Sequence, residues 1–152
     1  MAFTITSAIP VSAKLALLKG EMLAANTYKI GLFCANADLT VTYSATAPST
    51  NTYTALTTAT DELPTAGGYT ANGKTLATYQ TKADGTTACL DWDTDPAWTS
   101  ATFVTAGAFL YNSTSGQILA TFDFGGDKSV TAGTFSIVFP AYDASNALIR
   151  LT

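Results

Sequence analysis

The residues with the most chemical potential are three carboxylates at alternate positions, Asp91, Asp93 and Asp95, in the run Asp-Trp-Asp-Thr-Asp-Pro. Alternate residues of an extended strand point to the same side, so the three could meet a hard cation such as calcium. A calcium loop of the helix–loop–helix type beginning at Asp91 would need Gly at its sixth place and Glu at its twelfth. Those places hold Pro96 and Thr102. The competing reading is a solvated strand end running into a turn, and the sequence favours it.

Other chemistries fail for want of residue types. The chain has no histidine, so neither a Ser–His–Asp nor a Cys–His arrangement can form. A glycosidase needs two facing carboxylates, but Glu21 falls on the expected helix, Glu62 in a long loop, and the aspartates show no pairing. Cys34 and Cys89 match no zinc-ligand spacing. Asp123-Phe124-Gly125 spells a kinase tripeptide without the companion motifs. Gly125-Gly126-Asp127-Lys128-Ser129 places a carboxylate where a phosphate loop needs Gly-Lys. Both read as a tight turn. The sequence therefore predicts no enzyme, no catalytic, cofactor-binding or metal-ligating residue, and no cofactor.

Composition points the same way. Charged residues are 12 % of 152, against about 25 % in typical domains, and the net charge is −4. Lys14, Lys19, Lys29, Lys74, Lys82, Lys128 and Arg150 are scattered, so no basic stripe offers phosphate contacts, and nucleic acid is not an expected partner. The mean hydropathy of +0.22 comes from alternation rather than from one apolar block. No run of about 18 apolar residues predicts a membrane span. The first twenty residues lack the basic and apolar regions of a signal peptide, so synthesis in a cytoplasm is expected.

These residues must be carried by strands. Val11, Leu15, Leu18 and Met22 share one side of a helix, which the spacing places at about 8–19. Ser7 can cap it, Pro10 fits its first turn, and Gly20 offers a left-handed stop. Period-two alternation predicts strands at Tyr28–Cys34, Lys74–Tyr79, Thr87–Trp92, Ala101–Tyr111, Gln117–Phe124, Thr134–Phe139 and Ala147–Leu151. Turn signals separate them at Asn72-Gly73, Asp84-Gly85, Asp95-Pro96, Ser115-Gly116, Gly125-Gly126 and Ala132-Gly133. The expected fold is mainly β: an antiparallel β-sandwich, jelly-roll-like, with one short N-terminal amphipathic helix, forming a single domain over 1–152. The Thr-, Ala- and Ser-rich stretch 35–73 holds a short strand around Leu39–Tyr43, or reaches out to a neighbour as an arm, or is a surface loop.

The aromatic residues Trp92, Trp98, Phe103, Phe109, Tyr111, Phe122, Phe124, Phe135 and Phe139 read mostly as core, with Trp98 beside Pro96 the candidate exposed anchor. Cys34 shares a face with Ile30 and Leu32 and reads as a buried thiol; a Cys34–Cys89 bridge is left open by spacing.

Several segments resemble a family of small structural proteins of tailed bacteriophages. The segment 101–113 carries an A-x-x-Y-N-S-type strand, and 121–135 carries Asp-Phe-Gly-Gly-Asp-Lys followed by Gly-Thr-Phe. The helix ending Leu-Leu-Lys-Gly, the strand Tyr-Lys-Ile-Gly-Leu-Phe, Gly67–Leu76 and the closing Asn-Ala-Leu-Ile-Arg-Leu fit as well. The resemblance implies a virion protein, most plausibly a capsid decoration or cement protein on the capsid exterior. Its implied partners are the major capsid protein and further copies of itself, as dimer or trimer, with no nucleic acid and no membrane. The alternative is a tail-fibre or baseplate adhesin, or a carbohydrate-binding module, recognising host-surface glycans. The helix and the 35–73 stretch are the expected contact elements.

Overall fold

The computed structural model describes residues 9–35, 53 and 61–152. Helix α1 spans Val11–Leu18. The strands are β1 (Tyr28–Cys34), β2 (Lys74–Thr75), β3 (Tyr79–Asp84), β4 (Thr87–Trp92), β5 (Ala97–Asn112), β6 (Gln117–Ser136) and β7 (Ile149–Leu151). They form two antiparallel sheets, ordered β2-β1-β5-β6 and β3-β4-β7. The fold is mainly β with one short N-terminal helix, as the alternation predicts. A jelly roll, with about eight strands in two Greek keys, is not present among the seven described strands. Consecutive strands β3–β4 and β5–β6 instead pair as plain hairpins.

Both sheets contribute to one apolar core, where Ile30, Leu32 and Leu110 meet Leu90, Trp92 and Ile149. The four-stranded sheet is also apolar on its other face, where Phe33, Phe109, Tyr111 and Ile118 form a second cluster with Tyr53 packed on it. Burial on both faces explains why β1 is apolar almost throughout rather than alternating.

The helix turns a different side inward from the one its leucines suggest. Ala13 and Ala16 are buried, whereas Leu15 is 45 % and Leu18 84 % exposed. Alanine lets the helix axis approach β6, against which α1 packs, and the longer leucines are left on the outer side. The helix starts at Val11 rather than near residue 8, so Pro10 is its N-cap residue instead of part of the first turn, while Gly20 at φ 69° follows the last turn as expected. The cap expected from Ser7 lies outside the described residues.

Strand ends differ where glycine misleads. Lys74–Tyr79 divides into β2 and the start of β3, because Thr78 takes a positive φ of 55° between them. The predicted turns at Gly125-Gly126 and Ala132-Gly133 are bulges within β6, which runs on to Ser136. Gly107 pairs with Asp123 and Thr105 with Lys128, so Ala106 alone faces residues 124–127. The left-handed conformations at Gly125, Gly126 and Ala132 eject extra residues without reversing the chain. β5 also begins earlier than expected, at Ala97, and β7 later, at Ile149.

The strand expected at Leu39–Tyr43 lies outside the described residues, as do 36–52 and 54–60 generally. The described end of that stretch is docked rather than outreaching. The Leu63 N–H donates to the Leu32 carbonyl at 3.0 Å and the Cys34 N–H to the Asp61 carbonyl at 2.8 Å, extending the edge of β1 beyond β2. Gly31 shows how tightly the sheet faces are filled, since a Cβ there would overlap the Phe109 ring, itself fully buried. Gly31→Ala is expected to cost about 1–3 kcal/mol by overpacking. Urea unfolding checks this, with Phe109→Leu in the same chain expected to recover part of the loss.

Candidate functional site

The densest polar arrangement among the described residues surrounds Glu62, whose side chain is 1 % exposed. Its residue bridges to Phe33 at the edge of β1, which carries the carboxylate onto the outer face of the four-stranded sheet. Three donors meet it. The Tyr69 hydroxyl donates to Oε1 at 2.6 Å, the Asn72 N–H to Oε1 at 2.8 Å, and the Tyr53 hydroxyl to Oε2 at 2.7 Å. Tyr69 in turn accepts the Leu32 N–H at 3.1 Å, and Tyr111 donates to the Asn72 carbonyl at 2.8 Å. Tyr53 has one hydroxyl hydrogen, which it donates to the hydrogen bond with the carboxylate. Its 2.9 Å contact with the Asn72 side chain is therefore satisfied with the amide turned to donate.

Local sequence sets this geometry. Asn72 and Gly73 both have positive φ, 76° and 67°, and the turn aims the Asn72 N–H inward. A Cβ on Gly73 would strike the Ile30 carbonyl, so glycine is required there. The Tyr53 ring stacks on Tyr111 at 4.5 Å and 11°.

Burial, and then the neighbouring carboxylate, pushes the Tyr69 and Tyr53 phenols well above their ordinary range. Tyr111, buried beside the same carboxylate, is pushed up to about 12. These hydroxyls hold their protons across the neutral range and donate them to one acceptor. Glu62, with both oxygens engaged, lines neither the groove between α1 and the three-stranded sheet nor the one beside Phe122 and Phe139. General acid–base chemistry needs a reacting group within hydrogen-bond reach, and here protein donors fill that reach. The arrangement fastens residues 61–73 and Tyr53 to the sheet.

The aspartate trio does not converge. Asp91 is buried and accepts the Trp92 N–H at 2.8 Å and the Leu148 N–H at 3.3 Å. Burial pushes its carboxyl up, against those two amides. Asp93 is exposed, and exposed Asp95 accepts the Phe139 N–H at 2.7 Å. The strand ends at Trp92, so the period of two that would align all three is lost. No cluster of three or more potential metal ligands occurs among the described residues. Cys34 is half-buried, Cys89 buried, and both thiols are free.

Trp98 is buried, not an exposed anchor. It packs against Tyr69 and Phe135, with the Lys74 ammonium 5.8 Å from its ring. Asp123-Phe124-Gly125 belongs to the β6 bulge, where Asp123 accepts the Gly125 N–H at 2.8 Å.

An open groove of about 490 Å³ lies between the end of α1 and the three-stranded sheet, lined by Leu17, Met22, Ala88, Leu90, Ile149 and Leu151 among others. Sequence reading missed it because its walls come from three separated stretches, 17–22, 79–90 and 149–151. No described helix is long and apolar enough to cross a membrane. Comparisons with protein-family models, with curated proteins and with solved structures each give no match.

The tyrosine shifts have a consequence in alkali. Unfolded phenols ionise near 10, whereas Tyr28 and Tyr111 in the fold wait until about 12. Between those values the unfolded chain has released protons that the folded chain keeps, so stability falls as pH rises. Thermal unfolding midpoints should therefore decline steadily above pH 10. Absorbance at 295 nm should show these phenols ionising only as the fold opens.

Proposed function

We propose that the chain is a bacteriophage virion structural protein, a decoration or cement protein that binds the outer capsid surface and ties neighbouring major capsid subunits together. The observation that carries this reading is the division of its chemistry between inside and outside. The groups with reactive potential, Glu62, Asp91 and the tyrosines around them, are engaged by internal hydrogen bonds. Outside, apolar side chains stand free: Leu15, Leu18, Leu23, Val104, Val138 and Leu151 are each more than 40 % exposed. Three of these, Leu15, Leu18 and Leu23, fall within nine residues of one another in and just after α1, and we read them as the association surface.

The resemblance of 101–113 and 121–135 to phage structural proteins directs the reading to the virion. A cementing role needs many modest contacts repeated around a shell, and low charge suits it, since an unpaired buried charge costs several kcal/mol. The burial of Trp98 withdraws the exposed aromatic platform on which the carbohydrate-binding reading leaned.

The contact elements named from sequence were α1 and the 35–73 stretch. Tyr53 within that stretch packs on Phe109 and Tyr111. Deleting residues 44–60 would therefore remove part of the core as well as any arm. The cleaner test mixes the intact chain with purified phage shells that lack it. Saturable binding to the shell exterior and a higher shell disruption temperature are expected, because a ligand of the assembled state stabilises that state. No binding, or no change in heat and osmotic resistance when the protein is absent, would overturn the cementing role.

A further inference from the structure

Asn72 and Gly73 form the only Asn-Gly pair in the chain. Asparagine is among the chemically labile residues, and a following glycine leaves the backbone free to bend back onto its side chain. In that reaction the Gly73 nitrogen gives its proton to hydroxide and attacks Cγ of Asn72. A bond forms between the Gly73 nitrogen and Cγ, the Cγ–Nδ2 bond breaks, and Nδ2 leaves as ammonia after taking a proton from water. Water then opens the succinimide at either carbonyl, giving aspartate or isoaspartate. Nothing is oxidised or reduced.

Asn72 is exposed, so water and hydroxide reach it. The fold nevertheless holds the polar groups that the reaction must move. The peptide group between Asn72 and Gly73 is pinned at both ends. Its carbonyl accepts the Tyr111 hydroxyl at 2.8 Å, and its N–H donates to the Thr70 carbonyl at 3.2 Å. The second bond covers the proton that has to leave, and the two together fix the plane that has to turn. The Asn72 N–H is held by Glu62 at 2.8 Å, and its side chain lies 2.9 Å from the Tyr53 hydroxyl.

The product does not fit the place of the reactant. The single Tyr53 hydroxyl hydrogen goes to Glu62, so the Asn72 amide is the donor in their contact. A carboxylate there has no hydrogen to give. It competes with Glu62 for the Tyr53 hydrogen and sets a second negative charge beside a buried one. Isoaspartate also lengthens the main chain of the turn by one carbon.

We propose that Asn72 is a self-modification site guarded by the hydrogen bonds around Glu62. Closed, they protect it; each local opening lets it deamidate, and the product keeps them from closing again. The turn thus records opening in one direction only. The inference is independent of the capsid reading.

The test incubates the full chain in mildly alkaline buffer, folded or unfolded in guanidinium chloride, and follows residue 72 by peptide mapping and mass spectrometry. Deamidation at Asn72 is expected to be at least a hundredfold slower in the folded chain. Tyr111→Phe and Tyr69→Phe each remove one hydroxyl and keep the ring, and each should raise the folded-chain rate at least fivefold. Ile149→Val loosens the core between the sheets, away from Glu62, and should leave that rate within twofold. Asn72→Asp should speed hydrogen exchange at the Leu32 and Leu63 amides at least tenfold. Asn72→Gly, which keeps the left-handed turn without the charge, should change it less.

Equal deamidation in the folded and unfolded chain, or rates unmoved by both tyrosine variants, would overturn the guarding role. So would Ile149→Val accelerating the reaction as much as Tyr111→Phe, since global unfolding would then be the route. Wild-type exchange in Asn72→Asp would overturn the one-way step.

Discussion

A fully buried carboxylate must be met by donors or it destabilises the fold by several kcal/mol. Glu62 imposes that requirement on its own 61–73 segment, through Tyr69 and Asn72, and on Tyr53 nine residues before it, and each has to arrive for the carboxylate to be satisfied. Among the described residues its donors are neutral, so the contact is directional rather than diffuse. The site therefore fixes where the 61–73 segment lies on β1, how the Asn72-Gly73 turn is oriented, and where Tyr53 stacks. The second apolar cluster, with Phe33, Phe109, Tyr111 and Ile118, is closed over by Tyr53 as a consequence.

Two buried acidic groups are taken up by internal hydrogen bonds: Glu62 accepts from two hydroxyls and a backbone amide, and Asp91 from two backbone amides. The tyrosines around Glu62 hold their protons, chiefly through burial. Among the described residues the surface near α1 is locally apolar, with Leu15, Leu18 and Leu23 exposed.

Much of this fold was legible in the sequence. The bounds of β1 and β4 follow from runs of β-formers between turn signals, and the Asp84-Gly85 and Ser115-Gly116 hairpins follow from residues that accept positive φ. The continuity of β6 was not legible, because glycine pairs signal a reversal and a bulge alike, and only the pairing with β5 distinguishes them. The inward side of α1 was misread because leucine outweighs alanine in any hydrophobic pattern, whereas close packing on β6 favours the smaller residue. Trp98 next to Pro96 suggested a surface corner, yet the chain enters β5 there and the ring turns into the core. Glu62 offered little beyond an acidic residue leading Leu63 and Pro64, with tyrosines nine residues before and seven after. Its partners are chosen by tertiary structure.

The claim on which the account rests is that Glu62 and its tyrosines act as one structural clasp. A double-mutant cycle with Glu62→Gln, Tyr69→Phe and the pair together, read by urea unfolding, measures this directly. A clasp predicts that the two losses overlap, with a coupling of about 1.5–3 kcal/mol, as for a hydrogen bond to a charged group. Losses that add to within about 0.5 kcal/mol would show that the two residues act independently, contradicting the account.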